Sequence, residues 1–441
     1  MANSGPSSGE GTLERLRERA QGGDPGAQVE LAVSLAKDGR GAEAAQWLTT
    51  AAGNRHILAN TLLGAWQIYG VNAQQDPAAG VQRLQFASGS GDGAASTLLS
   101  DLLAEGRFVE RDWQAALDLL AAGAQQGNVR ALTQVALLQP GENTDALRLT
   151  LLWAASTRGF PVAQALLGRA LLATADPQQM QAGRGWLRLA RAAGSPLVGG
   201  DTDLGGDVGV ALSGPSAIGS LPWKLIRERM TIASFLEEPL RPGFSSRDLW
   251  LRTHPAFIPD VFCDYLVAFA GPYMERAYVN DSSRGVRRLH EQRTNSDFPF
   301  AEGNCDVVLR LIEQRLALAA ELPHEYQEPT VILRYRPGET YDDHHDFINP
   351  AVPGFQADLE RWGQRTTTAL IYLNEGYEGG ETHFPELDQR IRGSKGEALL
   401  WRNVREDGAP EPRTLHAGRP PTSGEKWVLS KWIRSKPQSQ G

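Results

Sequence analysis

A short phrase returns along the first 195 residues: Gly23-Asp24, Gly53-Asn54, Gly91-Asp92, Gly127-Asn128, Gly159-Phe160 and Gly194-Ser195. Ala27, Ala59, Ala94, Ala131 and Ala163 follow it, at intervals of 32, 35, 37 and 32 residues. A self-similar period of about 20–50 residues confines a chain to a solenoid or array, because one such unit cannot bury its apolar face alone and stacks on the next. Helical spacing inside the period, as in Leu31 and Leu35 and then Ala44, Trp47, Leu48 and Ala51, makes the unit a pair of helices. The glycine ends one helix, Asp or Asn caps the following one, and alanine lets two helices approach closely. Trp47, Trp66, Trp113, Trp153 and Trp186 read as core or inter-repeat packing.

This pattern stops near residue 197. Residues 198–222 are rich in Gly, Asp, Ser and Pro, with Gly199-Gly200 and Gly205-Gly206 among them, and read as a linker between two halves. Beyond the linker, β-branched and aromatic residues increase and the period becomes alternating. Strands are predicted over 331–335, 367–373, 398–401 and 427–432, with helices near 262–276 and 304–320. Short strands between Gly/Pro turns predict a double-sheet jelly roll behind a helical layer. The fold class is therefore multidomain α + β, an N-terminal α-solenoid of helical pairs followed by a C-terminal jelly roll with supporting helices.

The charge balance, 44 Lys+Arg against 52 Asp+Glu for a net −8, gives no field that would attract a phosphate backbone, and nucleic acid is excluded as a first partner. Two cysteines, Cys263 and Cys305, cannot build a disulfide framework or a four-cysteine zinc site, and both read as small core residues. The N-terminus has no basic and apolar leader, and no stretch approaches the roughly 18 apolar residues of a membrane span. A cytoplasmic protein with no membrane partner is expected.

Within Tyr341-Asp342-Asp343-His344-His345-Asp346, His344 and Asp346 are two apart. On a strand, residues i and i+2 share a face, so one imidazole and one carboxylate can bind a single metal ion, while His345 turns to the other face. The best third ligand is His416, which precedes a turn and then a strand able to lie beside the first. Two histidines and one carboxylate form a facial triad that suits non-haem Fe(II) with O2. Ten residues on, Lys426 lies between Gly424 and Trp427. A 2-oxo acid that chelates iron through its keto oxygen and near carboxylate leaves a far carboxylate that needs a cation, and Lys426 can supply it. Tyr335 and Thr382 are hydrogen-bond donors for the same pocket.

The run from Leu333 to Asp346 resembles the prolyl 4-hydroxylases of the Fe(II)/2-oxoglutarate dioxygenase superfamily. So do Arg365 to Asn374, Gly379 to Pro385, Thr414 to Gly418 with Lys426 to Arg434, and the segment Arg293-Thr-Asn-Ser296. The first half is similar to Sel-like, tetratricopeptide-related repeats through Leu62-Leu63-Gly64 and Leu166-Leu167-Gly168. The resemblance implies a distorted double-stranded β-helix, iron on His344, Asp346 and His416, and 2-oxoglutarate held by Lys426 with Tyr335 and Thr382. It also implies a substrate groove lined by Tyr341, Arg365 and Trp432, although Arg365 equally reads as a strand-edge salt bridge and Trp432 as core. The expected activity is hydroxylation of a prolyl residue in a peptide or protein, with succinate and CO2 as coproducts and ascorbate as reductant. The charged segment 284–299 makes collagen an unsafe choice of substrate. A dioxygenase of a free amino acid or small metabolite, and a silent interaction scaffold, are the alternatives. The expected domains are a disordered N-terminus over 1–11, repeats over 12–197, the linker 198–222, a lead-in over 223–252, the oxygenase over 253–434 and a tail over 435–441, with the repeats recruiting the protein substrate.

Overall fold

The computed structural model describes residues 10–197, 204, 218–230, 232–237, 240–246, 249–281, 286–288 and 291–438. Most of the expected linker, most of the expected disordered N-terminus and part of the charged segment lie outside the described residues. The chain divides into two compact units. The first comprises residues 1–135, 217–230 and 302–307; the second comprises 136–216, 231–301 and 308–441.

In the first unit, helices Glu10–Gln21, Pro25–Lys37, Gly41–Gly53, Ile57–Tyr69, Pro77–Gly89, Gly93–Glu105 and Trp113–Gln125 stack as successive pairs. The repeated phrase does what its chemistry dictates. Gly23, Gly91 and Gly127 take left-handed φ of 90°, 92° and 88°, where a side chain would be strained. The residue after each then caps a helix, as Asp24 does for the N–H groups of Gly26 and Ala27 and Asp92 for those of Ala94 and Ala95. The phrase at Gly53 differs: Gly53 ends its helix, Arg55 takes the left-handed turn at φ 59°, and His56 Nδ1 caps Ala59. The Leu-Gly step also has a structural cause. A Cβ on Gly64 would lie 2.9 Å from the Gly80 carbonyl of the facing helix, so glycine sets how closely that pair packs.

The second unit holds the last repeat helices, Ala146–Ser156, Pro161–Leu172 and Pro177–Ala192, together with the β-rich region. Trp153 and Trp186 meet edge to face at 5.9 Å between them. Helix Pro161–Leu172 packs on helix Asp260–Ala270, and Asp264 receives both Arg169 (3.4 Å) and Lys395 (2.7 Å). Among the described residues no helix is long and apolar enough to cross a membrane.

The β region is built on two antiparallel sheets, with two further two-stranded pairs, Pro421–Ser423 with Glu378–Gly379 and Val279–Asp281 with Val286–Arg288. The larger runs Leu251–His254, Ala398–Arg402, Arg365–Tyr372, Lys426–Arg434, Val331–Tyr335, Ser296–Pro299 and Glu275–Arg276 in spatial order. The smaller runs Gln389–Ile391, Thr382–Phe384, His416–Gly418 and Tyr341–His344. Predicted and observed strands agree within two residues at each end. The helix expected near 262–276 spans Asp260–Ala270, because Gly271-Pro272 ends it in a single 3-10 turn. Helix Val307–Ala320 lies behind the large sheet, where Glu313 bonds Lys431 Nζ at 2.6 Å. Cys263 is buried in the helical layer, whereas Cys305 is only half-buried.

Candidate active site

Between the sheets lies a narrow cavity whose walls include Leu333, Leu370, Val428 and the polar residues expected from the sequence other than Arg365. His344 and His416 are directly opposed on neighbouring antiparallel strands, which brings their rings to 4.2 Å. Strand Tyr341–His344 ends before Asp346, which sits in the bend that follows. The carboxylate is brought back by the chain beyond it: the Gln364 amide bonds both the N–H and the C=O of Ile348, each at 2.7 Å. Asp346 Oδ1 is 3.7 Å from His344 Nε2, and Oδ2 is 3.5 Å from His416 Nε2. Ligand atoms of the three residues lie within 4.8 Å of one another, the one such group among the described residues.

The hydrogen bonds fix the donor chemistry of this cluster. His344 Nδ1 faces the Asp342 carbonyl at 2.7 Å and His416 Nδ1 the Thr414 carbonyl at 2.9 Å. A carbonyl only accepts, so each Nδ1 carries a proton, and each Nε2 is the atom turned toward the Asp346 carboxylate. Burial, reinforced by His416, pushes the His344 pKa down to about 3, so this ring is neutral at ordinary pH. Burial alone would raise the Asp346 carboxyl, but His416, His344 and the Thr368 hydroxyl at 2.7 Å hold it below its usual range. Two imidazoles whose Nε2 atoms converge on one carboxylate fit a divalent ion of the iron class.

Across the cavity, Lys426 pairs in register with Tyr335, and Gly380, at φ 69°, lies close over its stem. Lys426 is 1% exposed; its ammonium lies 5.2 Å from the Tyr335 ring and 5.7 Å from the Tyr372 ring, with no ion-pair partner among the described residues. Burial pushes its pKa down to about 7. Burial likewise raises the Tyr335 and Tyr341 hydroxyls, keeping them protonated donors. Thr382 Oγ1 is 3.0 Å from the Tyr372 hydroxyl. An unpartnered buried cation between two aromatic rings, with hydroxyls beside it, suits a carboxylate.

Tyr341 and Trp432 also line the cavity. Tyr341 stacks on His344 at 3.6 Å, and Arg293 covers its other side at 4.8 Å. Trp432 Nε1 is buried with no acceptor among the described residues. Arg365 is the one expected site residue outside the lining. Its guanidinium forks onto Glu328 (2.6 and 2.8 Å) and stacks on the Trp432 ring at 3.9 Å, the salt-bridge geometry of its alternative reading. Burial opposes that charge, but Glu328 raises the Arg365 pKa. His345 Nε2 meets the Pro412 carbonyl at 2.9 Å and takes no part in the cluster. Sequence reasoning missed Thr368, Trp401 and Asn403 as site residues: Thr368 and Trp401 line the cavity, and Asn403 Nδ2 bonds Thr368 Oγ1 at 2.8 Å. Thr368 is one of three consecutive threonines, and only the strand register shows which faces inward.

Residues 330–434 match the 2OG-Fe(II) oxygenase superfamily model. The chain is 33% identical over 201 residues to Prolyl 4-hydroxylase 2 of Arabidopsis thaliana, a match covering 41% of this chain and 65% of that relative, so it spans slightly under two thirds of that protein's length. To Prolyl 4-hydroxylase 1 of the same plant it is 32% identical over 197 residues, covering 42% of this chain and 68% of the relative. The solved Sel1 repeat protein from Oxalobacter formigenes is 17% identical, with a TM-score of 0.35, over 50% of this chain and 100% of that one. By its identity to Prolyl 4-hydroxylase 1 over more than two thirds of that relative, the chain belongs to the prolyl 4-hydroxylase family.

Proposed function

We propose that the chain is an Fe(II)- and 2-oxoglutarate-dependent dioxygenase that hydroxylates a prolyl residue in a peptide or protein. The observation that carries this reading is one cavity holding two imidazoles and a carboxylate within 4.8 Å together with a buried ammonium that has no ion-pair partner among the described residues. Bound Fe(II) supplies the site at which O2 is consumed as 2-oxoglutarate becomes succinate and CO2, with one oxygen atom passing to the substrate. His344 and His416 hold the ion through Nε2, and Asp346 offsets part of its charge. Lys426 binds the far carboxylate of 2-oxoglutarate and takes up a proton when it does so from its neutral form. The Tyr335 and Thr382 hydroxyls orient that carboxylate, and Leu333, Leu370 and Val428 exclude water from the cosubstrate chain.

Tyr341 and Trp432 form the wall against which a proline ring packs, with Trp432 Nε1 as a donor for a peptide carbonyl. Arg365 acts on the substrate indirectly, by holding the Trp432 ring. Ascorbate serves as reductant after cycles that end without hydroxylation, and the repeats recruit the protein substrate. The test is mass spectrometry of host peptides incubated with the protein, Fe(II), 2-oxoglutarate and ascorbate. A gain of one oxygen on proline, matched by succinate, is expected; succinate without any modified peptide would count against a prolyl substrate.

A further inference from the structure

We propose that Asn403 is a positioning residue for the metal centre, acting through Thr368 to fix the Asp346 carboxylate so that it meets the ion through one oxygen. The inference rests on reading His344, Asp346 and His416 as that centre. An ionised carboxylate can only accept, so the single proton of the Thr368 hydroxyl points at Asp346 Oδ2, 2.7 Å away. The Thr368 oxygen is then an acceptor, and Asn403 Nδ2 supplies its donor at 2.8 Å. Asp346 Oδ1 has no hydrogen-bond donor among the described residues. The relay thus occupies one carboxylate oxygen and leaves the other for the ion, which keeps coordination positions open for a chelating 2-oxo acid and O2.

Asn403 is 0% exposed, and its Oδ1 has no hydrogen-bond partner among the described residues. A buried amide oxygen left unsatisfied is unfavourable, and an apolar residue in its place would avoid that cost. An amide at this position fits a residue whose N–H is needed. The main chain of Asn403 acts separately: its N–H bonds the Thr366 carbonyl at 2.8 Å, and its carbonyl accepts the Glu411 N–H at 2.9 Å. That second bond anchors the turn bearing Thr414, whose carbonyl receives His416 Nδ1. A substitution that keeps the main chain and the side-chain shape therefore isolates the relay from the loop.

The variants are Asn403→Asp, which keeps the shape but has no N–H to give Thr368; Thr368→Val, which exchanges the hydroxyl for a methyl; and Thr368→Ser, which retains the hydroxyl. Co(II) is titrated into the full-length apoprotein without 2-oxoglutarate, reading affinity and the d–d absorption of the bound ion. Asn403→Asp and Thr368→Val are expected to bind Co(II) about 10- to 100-fold more weakly with an altered spectrum, and Thr368→Ser to match the wild type. Wild-type affinity and spectrum in Asn403→Asp and Thr368→Val would overturn the relay. So would a Thr368→Ser as impaired as Thr368→Val, since side-chain packing would then be the cause. If Asn403→Asp proves insoluble, Asn403→Leu, close in shape and without any side-chain donor, takes its place with the same expectation. Failure of the wild type itself to bind Co(II) would remove the metal reading and the relay together.

Discussion

His345 stands beside the proposed ligand His344, yet its Nε2 faces the Pro412 carbonyl outside the His344–Asp346–His416 cluster. His344→Ala or His416→Ala is expected to abolish 2-oxoglutarate turnover, while His345→Ala keeps most of it; succinate release measures both, and an active His344→Ala would reject the ligand set. Lys426 makes a pH-dependent prediction. Its pKa of about 7 in the free protein lies below the ordinary lysine value, and a bound carboxylate raises it again. Binding then takes up a proton above pH 7. Affinity for 2-oxoglutarate should be level below pH 7 and fall by up to about tenfold per unit above it, an effect that Lys426→Met removes. The convergence of His344, Asp346 and His416, and the buried position of Lys426, were legible in sequence because spacing and charge carry their chemistry. Tyr341 was legible only through resemblance. It lies three residues before His344 and would face away on a regular strand, but the register shifts between His416 and Gly418, and the resulting bulge stacks it on His344.

At the scale of elements, strand Lys426–Arg434 joins the cavity between the sheets to the helical layer. Five residues beyond Lys426, the buried Lys431 bonds Glu313 Oε1 at 2.6 Å and Thr330 Oγ1 at 2.8 Å. Burial would raise the Glu313 carboxyl, but Lys431, Arg310 and His324 hold it far below its ordinary value. A carboxyl lowered on folding contributes stability above its unfolded pKa and loses it as pH falls through the folded one, so this pair weakens only in strong acid. Glu313→Ala strands the Lys431 charge and should cost about 3–5 kcal/mol in urea unfolding of the oxygenase region, whereas a loss within experimental error would show the pair to be dispensable. The strands themselves were legible from β-branched alternation. Two features were not: the end of strand Tyr341–His344 before Asp346, and the inward face of Thr368. Both depend on the Gln364 clamp and on cross-strand register, contacts between segments far apart in sequence.

At the scale of the whole molecule, the period of the repeats was plain in the sequence, but their relation to the β region was not. The composition shift over 198–222 suggests a clean separation there, yet helices Ala146–Ser156, Pro161–Leu172 and Pro177–Ala192 group with the oxygenase, and Arg169 shares Asp264 with Lys395. Deleting 1–197 should therefore lower soluble yield and melting temperature by exposing helix Asp260–Ala270, while deleting 1–55, wholly within the first unit, should leave 2-oxoglutarate-dependent melting unchanged. A soluble, fully active 198–441 fragment would instead make the repeats separable recruiters. The central claim is that one cavity holds both the metal and 2-oxoglutarate, and anaerobic titration of 2-oxoglutarate with and without Fe(II) tests it most directly. The account predicts tight binding only with Fe(II), lost in His344→Ala and weakened about ten- to hundredfold in Lys426→Ala, the worth of one charge-assisted hydrogen bond. Binding that is indifferent to Fe(II), or to Lys426→Ala, would contradict it.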